Sequence, residues 1–423
     1  MQITANAAAA LLATKLLPAE DRGIMVLGLT IAALVSIVCA GGIGNVLRGE
    51  WAAAQLVDRP ALAVAYGSLT LWTVGAGFVV AVGATAVFGA TVEPKLSDVL
   101  ILLATGTATA SQVLLLQVTE AFFADARFRA GSSWAAIAAV AGLVAVLAVG
   151  VFHPTAPMMM AGQGIGTLVV SVLALVRVRS VGTMAFVGWV PKYGRLRLMR
   201  RGAASMGLPI GMALLTRADR LVLGFFVAPS VIAVYALAAT IAEGIRLAPT
   251  ALAQIATHHA ASGHGWKASL RLQRAALGVS AAVAVPGVIL AWITIVPFFG
   301  EPFRSAPFLL AILAVSELGY AILVVGTRGM VGAGWLAEAS KISGLTGLAS
   351  IAAYAVGAMT FGVVGCCVAR VAVMACAGLW ATGVLRSRYS PAARRISAEF
   401  RPRHSSTQLP IPKAKSSSRE NIT

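Results

Sequence analysis

Charge is what this sequence has least of. Asp, Glu, Lys and Arg make up 11% of its 423 residues, against about 25% in a soluble domain, and acidic residues number only 15 against 33 basic ones. With 59% of residues apolar, the chain cannot cover a water-facing surface, which excludes a soluble enzyme and a disordered chain. Cysteine is scarce too: Cys39, Cys366, Cys367 and Cys376 lie inside apolar runs. They read as small core residues, not as a disulfide framework or metal ligands. The apolar stretch 7–17 lacks a basic region before it and an A-x-A-like site after it, unlike a cleaved signal peptide. The short alternating strands of a membrane barrel are missing as well. So are a P-loop, a Ser-His-Asp spacing, an H-E-x-x-H and paired catalytic carboxylates. No bond-breaking chemistry, no cofactor and no enzyme activity is expected.

What is present is a series of long apolar runs, with a mean hydropathy of +0.87. Each membrane span consumes about 20 apolar residues, so the expected fold is all-α and polytopic, with about twelve helices. Turn signals and charges divide the chain into spans 7–17, 23–47, 61–90, 98–118, 134–152 and 158–176, then 203–226, 231–255, 274–298, 307–331, 342–361 and 362–385. The organisation expected from these is a six-helix lobe over 1–176, a basic cytoplasmic linker over 177–202, a second six-helix lobe over 203–386 and a basic disordered cytoplasmic tail over 387–423. The first span is short, about 17 Å of helix against a hydrocarbon core of about 30 Å, which suggests a start upstream of Met1.

The position of the basic residues gives the orientation. Counted loop by loop with the N-terminus inside, 24 Lys and Arg fall on the cytoplasmic side and 4, including Lys15 and Arg22, on the other, the imbalance of an inner-membrane protein with both termini cytoplasmic. The basic loops and tail are expected to meet anionic membrane lipids, with no nucleic-acid role. The chain also repeats itself weakly. A shift of 210 residues lays Leu27 on Leu237, Thr30 on Thr240, Ile31 on Ile241 and Ala32 on Ala242, which suggests two lobes of the same orientation related by an axis along the membrane normal.

The segment from Tyr193 to Glu243, YGRLRLMRRGAASMGLPIGMALLTRADRLVLGFFVAPSVIAVYALAATIAE, resembles the middle of the polysaccharide (O-antigen type) flippases of the multidrug/oligosaccharidyl-lipid/polysaccharide exporter superfamily. The elements that carry the resemblance are Gly207-Leu208-Pro209, Arg217-Ala218-Asp219-Arg220, Leu223-Gly224 and Val231 to Ala238. KLLPAEDRGIMVLG resembles that family's start of the second helix, although Ala19 interrupts its G-P-E order, and PFFGEPFRSAPFLLAILAVSELGYA resembles its turn before the tenth. The resemblance implies a MATE-like two-lobed transporter.

Charges at membrane depth cost about 2.5 to 3.5 kcal/mol each on insertion scales, so each needs an account. The spans hold Arg217, Asp219, Arg220, Glu243, Arg246, Glu317, Arg328 and Arg370. Glu243 and Arg246 are three apart and share a helix face, where they can neutralise one another. Asp219 cannot face its neighbour Arg220 and needs a partner across helices. One reading makes all of these structural ion pairs. The other makes Arg217, Arg220, Arg246, Arg328 and Arg370, five cations against three acids, a substrate-binding cationic cavity in the second lobe, with Asp219, Glu243 and Glu317 in charge-pairing or ion-coupling roles. A guanidinium fork suits the pyrophosphate of a lipid-linked oligosaccharide. The function that the resemblance implies, and that such a cavity suits, is alternating-access export of a polyprenyl-pyrophosphate-linked oligosaccharide for surface polysaccharide biosynthesis, with polysaccharide assembly enzymes as further partners. A multidrug cation antiporter is the alternative; it needs acidic residues in the first lobe, whose first five spans as drawn hold none beyond Asp98. A membrane glycosyltransferase or polymerase ranks third, for want of a large outer loop. His258, His259 and His264 have no carboxylate or cysteine nearby, so no metal site is expected. Gly162, Gly164 and Gly166 read as helix-packing residues.

Overall fold

Hydrocarbon offers an amide no hydrogen-bond partner, so a chain this apolar satisfies its backbone inside helices. The computed structural model describes residues 2–55, 57–186, 192–262 and 265–388, and no strand occurs among them. In chain order the helices are α1 (Gln2–Leu16), α2 (Ala19–Ala40), α3 (Ile43–Ala53), α4 (Arg59–Thr91), α5 (Val99–Ala124), α6 (Phe128–Phe152) and α7 (Ala156–Val181). After them come α8 (Lys192–Ala204), α9 (Gly207–Gly224), α10 (Pro229–Glu243), α11 (Leu247–Ala261), α12 (Gly265–Phe299), α13 (Ala306–Gly332) and α14 (Leu336–Arg388).

Among the described residues nine helical stretches are long and apolar enough to cross a membrane. α14 provides two of the twelve spans: its 53 residues would reach about 80 Å if straight, but the chain reverses at Phe361 and Gly362, where Gly362 adopts φ +58°. α1 with 15 residues and α9 with 18 residues and three charges complete the set.

Two spans read as continuous from sequence are broken. The span 23–47 divides into α2 and α3 at Gly41 and Gly42, both with φ +62°, a left-handed conformation that glycine adopts without a Cβ clash. The span 231–255 divides into α10 and α11 at a 3-10 turn, Gly244–Arg246. Pro249 donates no amide and its ring crowds the carbonyl of Ile245, so the break sits one turn before it. The basic linker, in turn, is partly helical. α7 runs through Arg177 and Arg179, and α8 lies along α3 with Glu50 accepting from Arg197 at 3.0 Å and Arg201 at 2.7 Å. Residues 389–423, and with them most of the expected disordered tail, lie outside the described residues, as does His264.

Within the first half α4, α6 and α2 pack on or beside α5 and α7; within the second, α9, α11 and α12 pack on α13 and α14. The halves meet where α2 lies against α9 and α10. Leu27 and Leu237, matched by the internal repeat, both have almost no exposed surface and share one apolar cluster with Val222 of α9 and Tyr354 of α14. Contact is closest at the end where α2 and α10 begin: a Cβ on Gly23 would lie 1.8 Å from the carbonyl oxygen of Pro229. At the same end the amine of Lys15 donates to the carbonyl of Phe298.

Small residues set the other helix spacings. A Cβ on Gly166 would meet Ala141 at 2.7 Å and one on Gly164 would meet Ala108 at 3.0 Å, so the Gly162 to Gly166 run packs α7 on its neighbours as a small-residue interface should. The two arms of α14 touch at Gly357 and Gly365, where a Cβ on Gly365 would lie 2.0 Å from the carbonyl oxygen of Gly357. Gly365→Val is expected to push the arms apart and destabilise the protein by about 1–3 kcal/mol, read as a lower midpoint in thermal unfolding followed by size-exclusion.

Candidate functional site

The charged residues of the second half converge beside the contact between the two halves. Asp219 and Arg220 adjoin on α9 and point different ways. Asp219 faces inward and has no exposed surface. It accepts from the Tyr235 hydroxyl of α10 and from Nη1 of Arg370 on the second arm of α14, and the backbone N–H of Arg220 donates to its Oδ1 at 2.8 Å. The partner across helices that the sequence demands for Asp219 is thus Arg370.

Arg370 is itself fully buried and reaches a second carboxylate, Glu317 of α13, through Nη2 at 3.0 Å. Glu317, 1% exposed, also accepts from Arg246, with Nη2 at 2.7 Å. Arg246 lies over the ring of Tyr320, 4.7 Å from its centroid. Buried ions persist only when paired and hydrogen-bonded, and here one guanidinium bridges two carboxylates on separate helices.

Glu243 ends α10 and has, besides the expected partner, a closer one on another helix. Its in-register neighbour Arg246 approaches only to 3.9 Å, while Arg220 of α9 donates to its Oε1 at 2.5 Å. The 3-10 turn that begins at Gly244 takes Arg246 out of α-helical register and aims it at Glu317. Glu243 is also the most accessible of the three acids, with a side chain 28% exposed, against 12% for Arg220.

Arg217, one turn before Arg220 on the same face of α9, is half-buried and makes no ion pair with any described residue; its charged neighbours are Glu243, Arg220, Arg246 and Asp219. Arg328 is apart from this group, exposed toward the end of α13. Of the five arginines singled out in the sequence, one is therefore sealed in a network, one is remote, two are paired and one is unpaired.

Arg22 takes part although its position next to Pro18 reads as an outer loop. It lies in the first turn of α2, 3% exposed, with Nε donating to the Thr14 hydroxyl at 3.0 Å, and its charged neighbour is Arg220 across the junction. The first half also holds an acid near a span end, because α5 continues past Val118 to include Glu120. Its carboxylate is taken in bidentate fashion by Arg48, whose guanidinium lies over the ring of Phe123 at 5.2 Å. Among the described residues no group of His, Cys, Asp and Glu could hold a metal ion.

No family model matches the chain, and no curated protein is similar to it in sequence. Solved structures are similar in three dimensions. A multidrug resistance MATE family transporter of the MOP superfamily in an inward-facing conformation matches over 94% of this chain and 96% of its own, with TM-score 0.70 and 15% identity. The lipid II flippase MurJ, in an inward closed conformation, matches over 91% and 86%, with TM-score 0.75 and 12% identity. The chain has the fold of the MOP-superfamily transporters. An outward-facing MATE structure shares that fold with TM-score 0.56 and 14% identity over 93% of this chain and 96% of its own. Within this fold the charge cluster lies beside the contact between the two halves.

Proposed function

We propose that the chain is a multi-pass inner-membrane flippase that carries a lipid-linked oligosaccharide, its head group a polyprenyl pyrophosphate, by alternating access of two lobes for surface polysaccharide biosynthesis. One observation carries this reading: beside the lobe junction Arg217, Arg220 and Arg246 surround a single accessible carboxylate, Glu243. A dianionic head group complements that excess, and a guanidinium binds phosphate oxygens in a fork. A MOP fold shared with a lipid II flippase is consistent with it. With both termini cytoplasmic, the end sealed by Gly23 and Pro229 is the outer one, and the likeness to inward-facing relatives agrees.

The antiporter reading has less support. It needs acids in the first lobe for a cationic drug, whereas Glu120 there is held by Arg48 and Glu50 by Arg197 and Arg201. Anionic lipids are the expected partners of α8, whose Arg195, Leu196, Met199 and Arg200 are exposed on one side while Leu198 is buried, the pattern of an interfacial helix. Assembly enzymes for the polysaccharide complete the partners of this reading.

Arg217 gives the cleanest test because its removal strands no carboxylate. Arg217→Ala is expected to keep membrane abundance and to reduce translocation of the lipid-linked sugar about tenfold or more, as for the loss of a hydrogen bond to a charged group. Arg217→Lys should restore only part of it, a point charge replacing a fork. Translocation that falls only in step with abundance would refute the role.

A further inference from the structure

The acids at the junction are not equivalent. Asp219 and Glu317 have essentially no exposed surface, and Glu317 uses both oxygens on guanidinium groups. Glu243 is 28% exposed, uses one oxygen, and ends a helix at a 3-10 turn. Its partner is equally unfinished: Nη2 of Arg220 is taken by Glu243, while Nε of Arg220 is buried with no hydrogen-bond partner. A buried donor left without an acceptor is costly, and Nε and Nη2 form the edge of the fork that a phosphate engages with two oxygens. Glu243 supplies one.

We infer that Glu243 is a built-in competitor for the head-group site: in the empty protein its carboxylate holds Arg220, and an incoming phosphate displaces it by offering two oxygens to Nε and Nη2. The inference rests on the reading of the arginine group as a head-group site, and adds how that site is kept occupied between cycles. A carboxylate already in place keeps Arg217 and Arg220 from facing one another uncompensated, and it lowers affinity for the anion so that the anion can leave. Displaced Glu243 stays at the α10–α11 break, within reach of Arg246, to which it already lies at 3.9 Å. Its return to Arg220 then favours release.

The test uses the full-length protein in lipid nanodiscs, with inorganic pyrophosphate as the probe and binding read by calorimetry. Wild type should bind weakly and Glu243→Gln at least tenfold more tightly. Glu243→Asp, one methylene too short to hold Arg220 as well, should fall between them; it keeps the charge and decides the matter if the Gln variant does not fold. Glu50→Gln, which changes net charge equally but lies on α3 against α8, should bind as wild type does. In translocation of a lipid-linked saccharide, Glu243→Gln should lower KM and kcat together, the signature of a site that binds well and releases slowly. If pyrophosphate binds wild type and Arg217→Ala weakens it, but neither Glu243 variant tightens it, the head-group site stands and the competitor is overturned. Absence of binding in every variant overturns both.

Discussion

Arg370→Ala is expected to remove most of the protein from the membrane. The substitution leaves Asp219 and Glu317 facing a cavity where a guanidinium was, with Asp219 keeping only the Tyr235 hydroxyl and one backbone amide, and Glu317 keeping only Arg246. Breaking a buried pair by removing one partner costs about 3–5 kcal/mol, a large part of the about 5–15 kcal/mol that holds a domain folded. Arg370→Lys should rescue little, because one ammonium cannot bridge carboxylates on α9 and α13. Adding Asp219→Asn to Arg370→Ala should recover part of the loss, since one stranded charge is then gone. Fluorescence-detected abundance of the single and double variants checks this. Normal abundance of Arg370→Ala with lost translocation would show instead that Arg370 serves the substrate directly.

The second large effect is expected at Gly23. A carbon at the Cβ position would lie 1.8 Å from the carbonyl oxygen of Pro229, where carbon and oxygen come no closer than about 3.3 Å. α2 and α10 must separate by more than an ångström. Because they belong to different halves, the strain is relieved by parting the lobes at that end and leaves each lobe's own packing intact. Gly23→Leu should therefore fold yet lose the sealed state. A cysteine at Leu27, which has no exposed surface here, should be unreactive to a water-soluble maleimide in an otherwise cysteine-free protein, and should react at least tenfold faster once Gly23→Leu is added. Unchanged labelling would show that the seal lies elsewhere.

The span pattern was legible because apolar length and the position of Lys and Arg are one-dimensional quantities. Ten of the twelve spans match a helix or an arm of α14, and even the reversal at Phe361 and Gly362 falls at the boundary drawn between spans 342–361 and 362–385. The helix breaks were harder. Gly41-Gly42 and the Gly244 to Pro249 stretch sit in runs so apolar that hydropathy alone carries through them, and only the backbone demands of glycine and proline mark them.

The site was half legible. Rarity of charge in lipid singled out Asp219, Glu243, Arg246, Glu317 and Arg370, but spacing along one helix cannot say which helix faces which. It therefore found Glu243 with Arg246, an ion pair the folded chain keeps at 3.9 Å, and missed the closer pairs of Glu243 with Arg220 and Arg246 with Glu317. Arg22 was hidden by its place at a span end, where basic residues are ordinary. Tyr235 was hidden because a tyrosine in an apolar run reads as core until its hydroxyl is seen on Asp219. The signal that could have found Arg22 is the Pro18 that starts α2 four residues before it, putting its side chain inside the first helical turn.

The most direct test of the account is translocation by the purified protein in sealed vesicles, using a fluorescent polyprenyl-pyrophosphate-linked oligosaccharide placed in one leaflet and an impermeant quencher on the other side. The account predicts that wild type moves the lipid across, that Arg217→Ala at equal incorporation does so about tenfold more slowly, and that a polyprenyl-linked sugar without phosphate is not moved. Equal transport by wild type and Arg217→Ala, or equal transport of the uncharged lipid, would contradict it.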